Sequence, residues 1–179
     1  MVTIQKLGIA QVNNTNLLSQ PHANIFNLID NKVNVPDPRD NLPPQQQSRK
    51  MVYTRMPDVS SYKFSGYPFI VVFTSENEPD FYTVDNSKSM NMWTVPIEVY
   101  SSDRMRDSNE ARGLEFLNNL CDSITKILND KSNRSILRNL GMANIKPIVV
   151  SSDVIENNGE LVYFRVYNIT FNRLLNTGG

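Results

Sequence analysis

The sequence predicts an α+β fold of two layers: a mostly antiparallel sheet with a helix pair packed on one face, and an extended N-terminal arm. Three stretches carry that expectation. Residues 90–128 read as a strand, a charged turn and the best amphipathic helix of the chain. Residues 129–141 read as a second, shorter helix, and residues 145–171 as two strands around an Asn158-Gly159 turn. The order is then helix, arm, strands, helix pair, hairpin.

Taken in order, Pro21 stands at the first turn of a helix running to about Asp30, where its missing N–H costs nothing. Residues 33–50 change character. Pro36, Pro38, Pro43 and Pro44 among Asp37, Asp40, Asn41 and three glutamines fit neither a packed helix nor a central strand, so the stretch reads as an arm. Residues 51–63 alternate loosely and continue the arm or form a strand. Tyr67-Pro68-Phe69-Ile70-Val71-Val72-Phe73-Thr74 is a dense β-branched and aromatic run, expected as a strand buried on both faces. Phe81, Tyr82 and Val84 suggest one more extended piece.

In the next strand Val95, Ile97 and Val99 alternate with Pro96, Glu98 and Tyr100, giving one apolar and one mixed face. Pro96 cannot donate to a ladder, which predicts an edge position or a bulge. Asp107 and Glu110 stand at capping-box spacing. Beyond them Leu114, Leu117, Leu120, Cys121, Ile124, Ile127 and Leu128 make one apolar stripe. In the second helix Ser132 is the expected N-cap, Ile136, Leu137 and Leu140 the apolar face, and Gly141 the left-handed residue past the end. Asn158-Gly159 suits a type I′ hairpin. The strand after it is apolar at both parities near its start, more than one helix layer can cover, so the second face calls for the arm or another subunit. The expected division is an N-terminal helix and Pro/Gln-rich arm over 1–66, an α+β core over 67–175 and a frayed end over 176–179.

Composition narrows the function classes. The length of 179 residues suits one domain with an arm, and 40% hydrophobic content supports a core. Lysine plus arginine balances aspartate plus glutamate at 18 each, so neither a sequence-specific nucleic-acid binder nor an acidic tail is expected. The single cysteine, Cys121, rules out an internal disulfide, suits a reducing compartment and reads as a small buried hydrophobe. No apolar run approaches the ~18 residues of a membrane span. Lys6 is followed by no apolar segment, so no secretory signal is expected.

No catalytic constellation stands out, and no cofactor or metal is expected. There is no phosphate-cradling glycine loop and no Cys/His metal spacing. His22, the only histidine, has no sequence-local companion for catalysis or metal binding. Pro79-Asp80 followed by Glu98-Val99-Tyr100 is similar to the paired-carboxylate pattern of metal-dependent nucleases, but tyrosine stands where a lysine must position the attacking water. The bland alternative makes Asp80 a turn residue and Glu98 a solvated one. Arg104, Arg106 and Arg112 surround one turn among acidic neighbours; they read first as solvated faces, and in functional terms as a salt-bridged contact with an identical neighbour.

The layout of residues 67–171 resembles the tail terminator proteins of tailed viruses, also called tail-completion or neck proteins. The resemblance rests on the Tyr67–Val72 run, the strand of Trp93 to Tyr100, the helix pair and the closing hairpin, a likeness of pattern and order. It implies a non-enzymatic virion protein, assembled in the host cytoplasm, that forms a ring, usually hexameric, at the head-proximal end of the tail tube. Such a ring stops tube polymerisation and joins the tube to the head connector, with DNA passing through it. The implied partners are further copies of the chain, the tail tube protein and the connector proteins. The contact residues expected are Arg104, Arg106 and Arg112 in the turn, Tyr53 and Tyr62 in the arm, and Trp93. Alternatives are another neck protein, such as a head-completion or stopper protein, or a divergent nuclease using Asp80 and Glu98.

Overall fold

A computed structural model describes residues 21–33, 51–61, 64, 66–74, 76–85, 88–103, 113–157 and 159–176, with the backbone alone for 76–85, 88–91 and 174–176. The fold is α+β. Its elements are α1 (Pro21–Lys32), β1 (Val52–Tyr53), β2 (Phe69–Val72), β3 (Glu76–Asp85), β4 (Lys88–Ser102), α2 (Gly113–Asn129), α3 (Lys131–Asn139), β5 (Ala143–Asn157) and β6 (Glu160–Asn176). The strands form one six-stranded sheet in the order β1-β2-β4-β6-β5, with β3 paired to β4 alongside that path. Every pairing is antiparallel except β1 with β2.

The core lies between the sheet and the helices. Along β4 the odd positions Trp93, Val95, Ile97 and Val99 are buried, and register sets Ile70 and Val72 of β2 and Tyr167, Ile169 and Phe171 of β6 beside them. The stripe of α2 closes on this face with Leu117, Leu120, Cys121, Ile124, Ile127 and Leu128. Leu114, expected on the stripe, is 47% exposed, because Gly113, four residues before Leu117, takes the buried position of the first turn against Ser102 and Asp103. The α1 residues Ile25, Leu28 and Ile29 and the β1 residue Val52 belong to the same core. Three helices rather than two therefore cover the face, and the core begins well upstream of Tyr67.

Pro96 corrects a simple edge rule. β4 is central, with β6 on one side and β2 and β3 in succession on the other. β2 pairs with Ile97 to Tyr100 and β3 with positions up to Thr94, so Pro96 falls where one neighbour gives way to the next. Its carbonyl accepts from the Phe73 N–H at 3.0 Å. A strand residue sends N and O to the same side, so the missing N–H faces that gap and no β6 ladder bond is lost.

The N-cap of α3 is Asp130, not Ser132. The Asp130 carboxylate accepts from the backbone N–H groups of Ser132 and Asn133, both at 3.0 Å. The donors stand two and three residues past the acceptor, the reach of an N-cap; Ser132 sits too far inside the helix and donates its hydroxyl to Asp130 instead. Past the C-terminal end Gly141 takes φ +84°, as its position predicts. The expected capping box at Asp107 and Glu110 lies outside the described residues. In its place Asp103 accepts from the Gly113 N–H at 3.2 Å with one oxygen and from the Tyr163 hydroxyl at 3.0 Å with the other. One carboxylate thus ties the end of β4, the start of α2 and β6 together.

Candidate assembly surface

The helices cover the middle of the sheet and leave its border strand bare. α2 packs over β4 and β6, from the Ser102–Asp103 end onward. β5 lies beyond β6, so at the level where Ile97 and Tyr167 are buried its Val149 stands clear of the helix layer. There Ile148, Val149, Val150, Val154, Ile155 and Leu161 are 43 to 56% exposed. Val149 pairs with Tyr167 and Val154 with Tyr163, on the helix side of the sheet, while Ile155 pairs with Val162 on the opposite parity. Both faces of the arm are thus apolar. A register shift between Val149 and Ser151 marks a bulge at Val150. β5 is also the last strand of the sheet, so its outer edge is unpaired among the described residues. A long, apolar, open edge is the feature that monomeric proteins usually blunt.

The face of the sheet away from the helices carries an aromatic row. Tyr53 meets Phe69 edge-on at 5.9 Å, Phe69 stacks on Tyr100 at 4.7 Å, and Tyr100 stacks on Phe164 at 5.7 Å. Phe64 and Tyr67 close over Phe69 at 5.4 and 5.3 Å. The row crosses β1, β2, β4 and β6, so only register reveals it. The Tyr100 hydroxyl donates to Glu98 at 2.6 Å, and burial, followed by that carboxylate, pushes its phenol well above the usual tyrosine range.

The expected contact residues separate. Tyr53 stands half-buried at one end of the aromatic row. Trp93 is a correction: only 3% exposed, it shares the helix side with Val95 and Ile97 and is part of the core, with the Arg173 guanidinium 5.9 Å from its ring centre. Tyr62, Arg104, Arg106 and Arg112 lie outside the described residues.

The chemical candidates are spread apart. Asp80 lies in β3 between Glu78, paired with Met92, and Tyr82, paired with Met90. Glu98 is six residues farther along β4 than Met92, so its backbone stands about 20 Å from that level. Among the described residues no group of three or more His, Cys, Asp or Glu side chains is placed to hold a metal. His22 lies half-buried near the start of α1, and burial lowers its pKa. Cys121 is buried on the inner face of α2; burial raises its thiol, and Tyr167, bonded to it, is pushed up to about 12 chiefly by burial. No helix among the described residues is long and apolar enough to cross a membrane.

No protein-family model matches this chain, and no curated protein matches its sequence. The surface must be read from its own residues.

One further feature adjoins β5. A cleft of about 370 Å³ between α3 and β5 is lined by Arg134, Arg138, Met142, Asn144, Ile145 and Lys146. Arg134 is tethered, donating to the Leu128 carbonyl at 3.2 Å and to Asn129 at 2.6 Å. Asn144 holds φ +54°, which an asparagine tolerates better than most residues. The cleft has three cations in its wall and no carboxylate among the lining residues.

Proposed function

We propose that this chain is a self-assembling structural subunit of a virus tail, a tail terminator whose ring caps the head-proximal end of the tail tube and meets the head connector. The exposed apolar hairpin supports the reading most directly. Five large side chains half in water on a border strand, with Leu161 beside them on β6, are a poor surface for a lone molecule and a good one for an obligate assembly. Covering the exposed half of each contributes roughly 1 kcal/mol per side chain, enough in sum to hold subunits together once the entropy of association is offset. The pattern likeness of residues 67–171 to tail terminators supplies the particular assembly.

The test is to polymerise the tail tube protein of the same virus with and without this chain and to image the products. Rings seated at one end of tubes whose growth has stopped are the expected result. Tubes that elongate equally in both cases, with no added density at either end, contradict a terminator. Binding to the connector alone transfers the chain to the stopper or head-completion class.

A further inference from the structure

The charges of the border strand β5 run in order. Lys146 stands near its start, close to the α3 cations Arg134 and Arg138, and Asp153 and Glu156 stand near its end. Ile148, Val149 and Val150 lie between them, about half exposed. Register gives each charge its face. Lys146 pairs with Thr170 and Asp153 with Phe164, in rows that reach Thr94 and Tyr100 of β4, so both lie on the face away from the helices. Glu156 pairs with Leu161, of the same parity as Tyr163 and Tyr167, and so shares the helix side with Arg134 and Arg138. The bulge at Val150 lets Lys146 and Asp153, seven residues apart, share a face. The main chain of this edge is short of donors. The Val154 N–H donates to the Asp153 carboxylate at 2.8 Å. Bonded pairs alternate along an antiparallel ladder, and Pro147, paired with Ile169, falls in the same set as Val154, paired with Tyr163. Its nitrogen therefore faces the open edge with no proton to give, and an arbitrary strand finds little to hold there.

We propose that β5 of one copy packs antiparallel against β5 of a second copy, about a two-fold axis. This rests on the assembly reading above, which makes another copy the occupant. Antiparallel apposition lets the basic, apolar, acidic order complement itself. Setting Lys146 against the partner's Asp153 sets Pro147 against the partner's Ser152 and Ile148 against the partner's Ser151, and in each case the two residues belong to the same face. The Val149–Val150 steps then meet at the axis. Glu156 comes level with the start of the partner strand, on the side of its two α3 arginines. With few main-chain donors on offer, the side chains decide which strand is accepted. A parallel β5 in the same register would set Lys146 against Lys146 and Asp153 against Asp153, which like charge disfavours. The contact uses one surface on both copies, so it closes at two. It is the form in which free copies cover the apolar border, and it parts when copies take their places in a ring whose two sides meet different partners.

The test is charge reversal at each end of β5, read by sedimentation velocity of the full chain without tubes, with circular dichroism as the check on folding. Dimers are expected for the native chain. Arg138→Glu with Lys146→Glu turns the border acidic, and Asp153→Lys with Glu156→Lys turns it basic; each variant is expected to sediment as a monomer. Mixing the two in equal amounts is expected to restore dimers, since opposite charges then meet at both ends. Dimers that survive either reversal, a mixture of folded variants that stays monomeric, or native rings of more than two copies overturn the pair and leave the assembly reading standing. A native chain that stays monomeric overturns the pair, and one that also fails to cap tubes overturns the assembly reading with it.

Discussion

The middle of the sheet and its closing hairpin are written in the same residues and end in opposite environments. Val95, Ile97 and Val99 of β4 are fully buried, whereas Val149, Val150 and Val154 of β5 are about half exposed. Nothing in the side chains distinguishes them. The difference is lateral position: β4 lies mid-sheet under the helices, whereas β5 is the last strand, so Val149 is exposed in the row where Tyr167 and Ile97 are buried. The first region is apolar to fold the chain, and the second is apolar for contact with another surface.

Substitutions break this comparison in order of size. Leu120→Ala, fully buried on α2, is expected to cost about 2–5 kcal/mol in urea unfolding, through lost transfer energy and the cavity left behind. Gly113→Ala comes next. A Cβ there would lie 2.7 Å from the Ser102 carbonyl carbon and 2.9 Å from the Asp103 nitrogen, both backbone atoms. Neither can swing away, so a loss of about 1–3 kcal/mol is expected in the same measurement. In contrast, Val149→Ser with Val154→Ser is expected to shift monomer unfolding by no more than about 0.5 kcal/mol per site while abolishing the assembled species.

Two titrations sharpen the contrast between buried and solvated groups. Tyr167 is pushed up to about 12 by burial. Its folded value lies above its unfolded value, so its contribution is complete below about pH 10 and is lost as pH rises towards 12. Tyr167→Phe is expected to flatten thermal stability across that window. The smallest effect belongs to Asp130, which the Ser132 hydroxyl, followed by the Asn133 and Ser132 N–H groups, holds below the usual carboxylate range. Its folded value is depressed, so its contribution is present above the unfolded value and is lost as pH falls through the folded one. Asp130→Ala is expected to lower the melting temperature slightly at neutral pH and not at all in strong acid.

The fold was legible where periodicity was long. The stripe from Leu117 to Leu128 and the alternation from Trp93 to Val99 each name one element and its buried side. Gly141 and the run Phe69 to Val72 were equally plain, since a left-handed residue and an all-buried strand leave direct marks. Pro96 misled because a local rule cannot know that two partners meet beside it. Trp93 misled because size and chemistry suggested a contact, while its parity placed it in the core. The aromatic row depends on which strands are neighbours, a tertiary fact absent from any short window. The apolar run at both parities near the start of β6 was visible, but the exposure of β5 follows from its place at the border of the sheet.

The most direct test of the assembly claim is the solution mass of the purified chain by light scattering, beside that of the Val149→Ser, Val154→Ser variant. A closed oligomer for the native chain and a folded monomer for the variant are the predicted results. Equal masses for the two proteins would contradict the assignment of the hairpin as the surface that holds the assembly together.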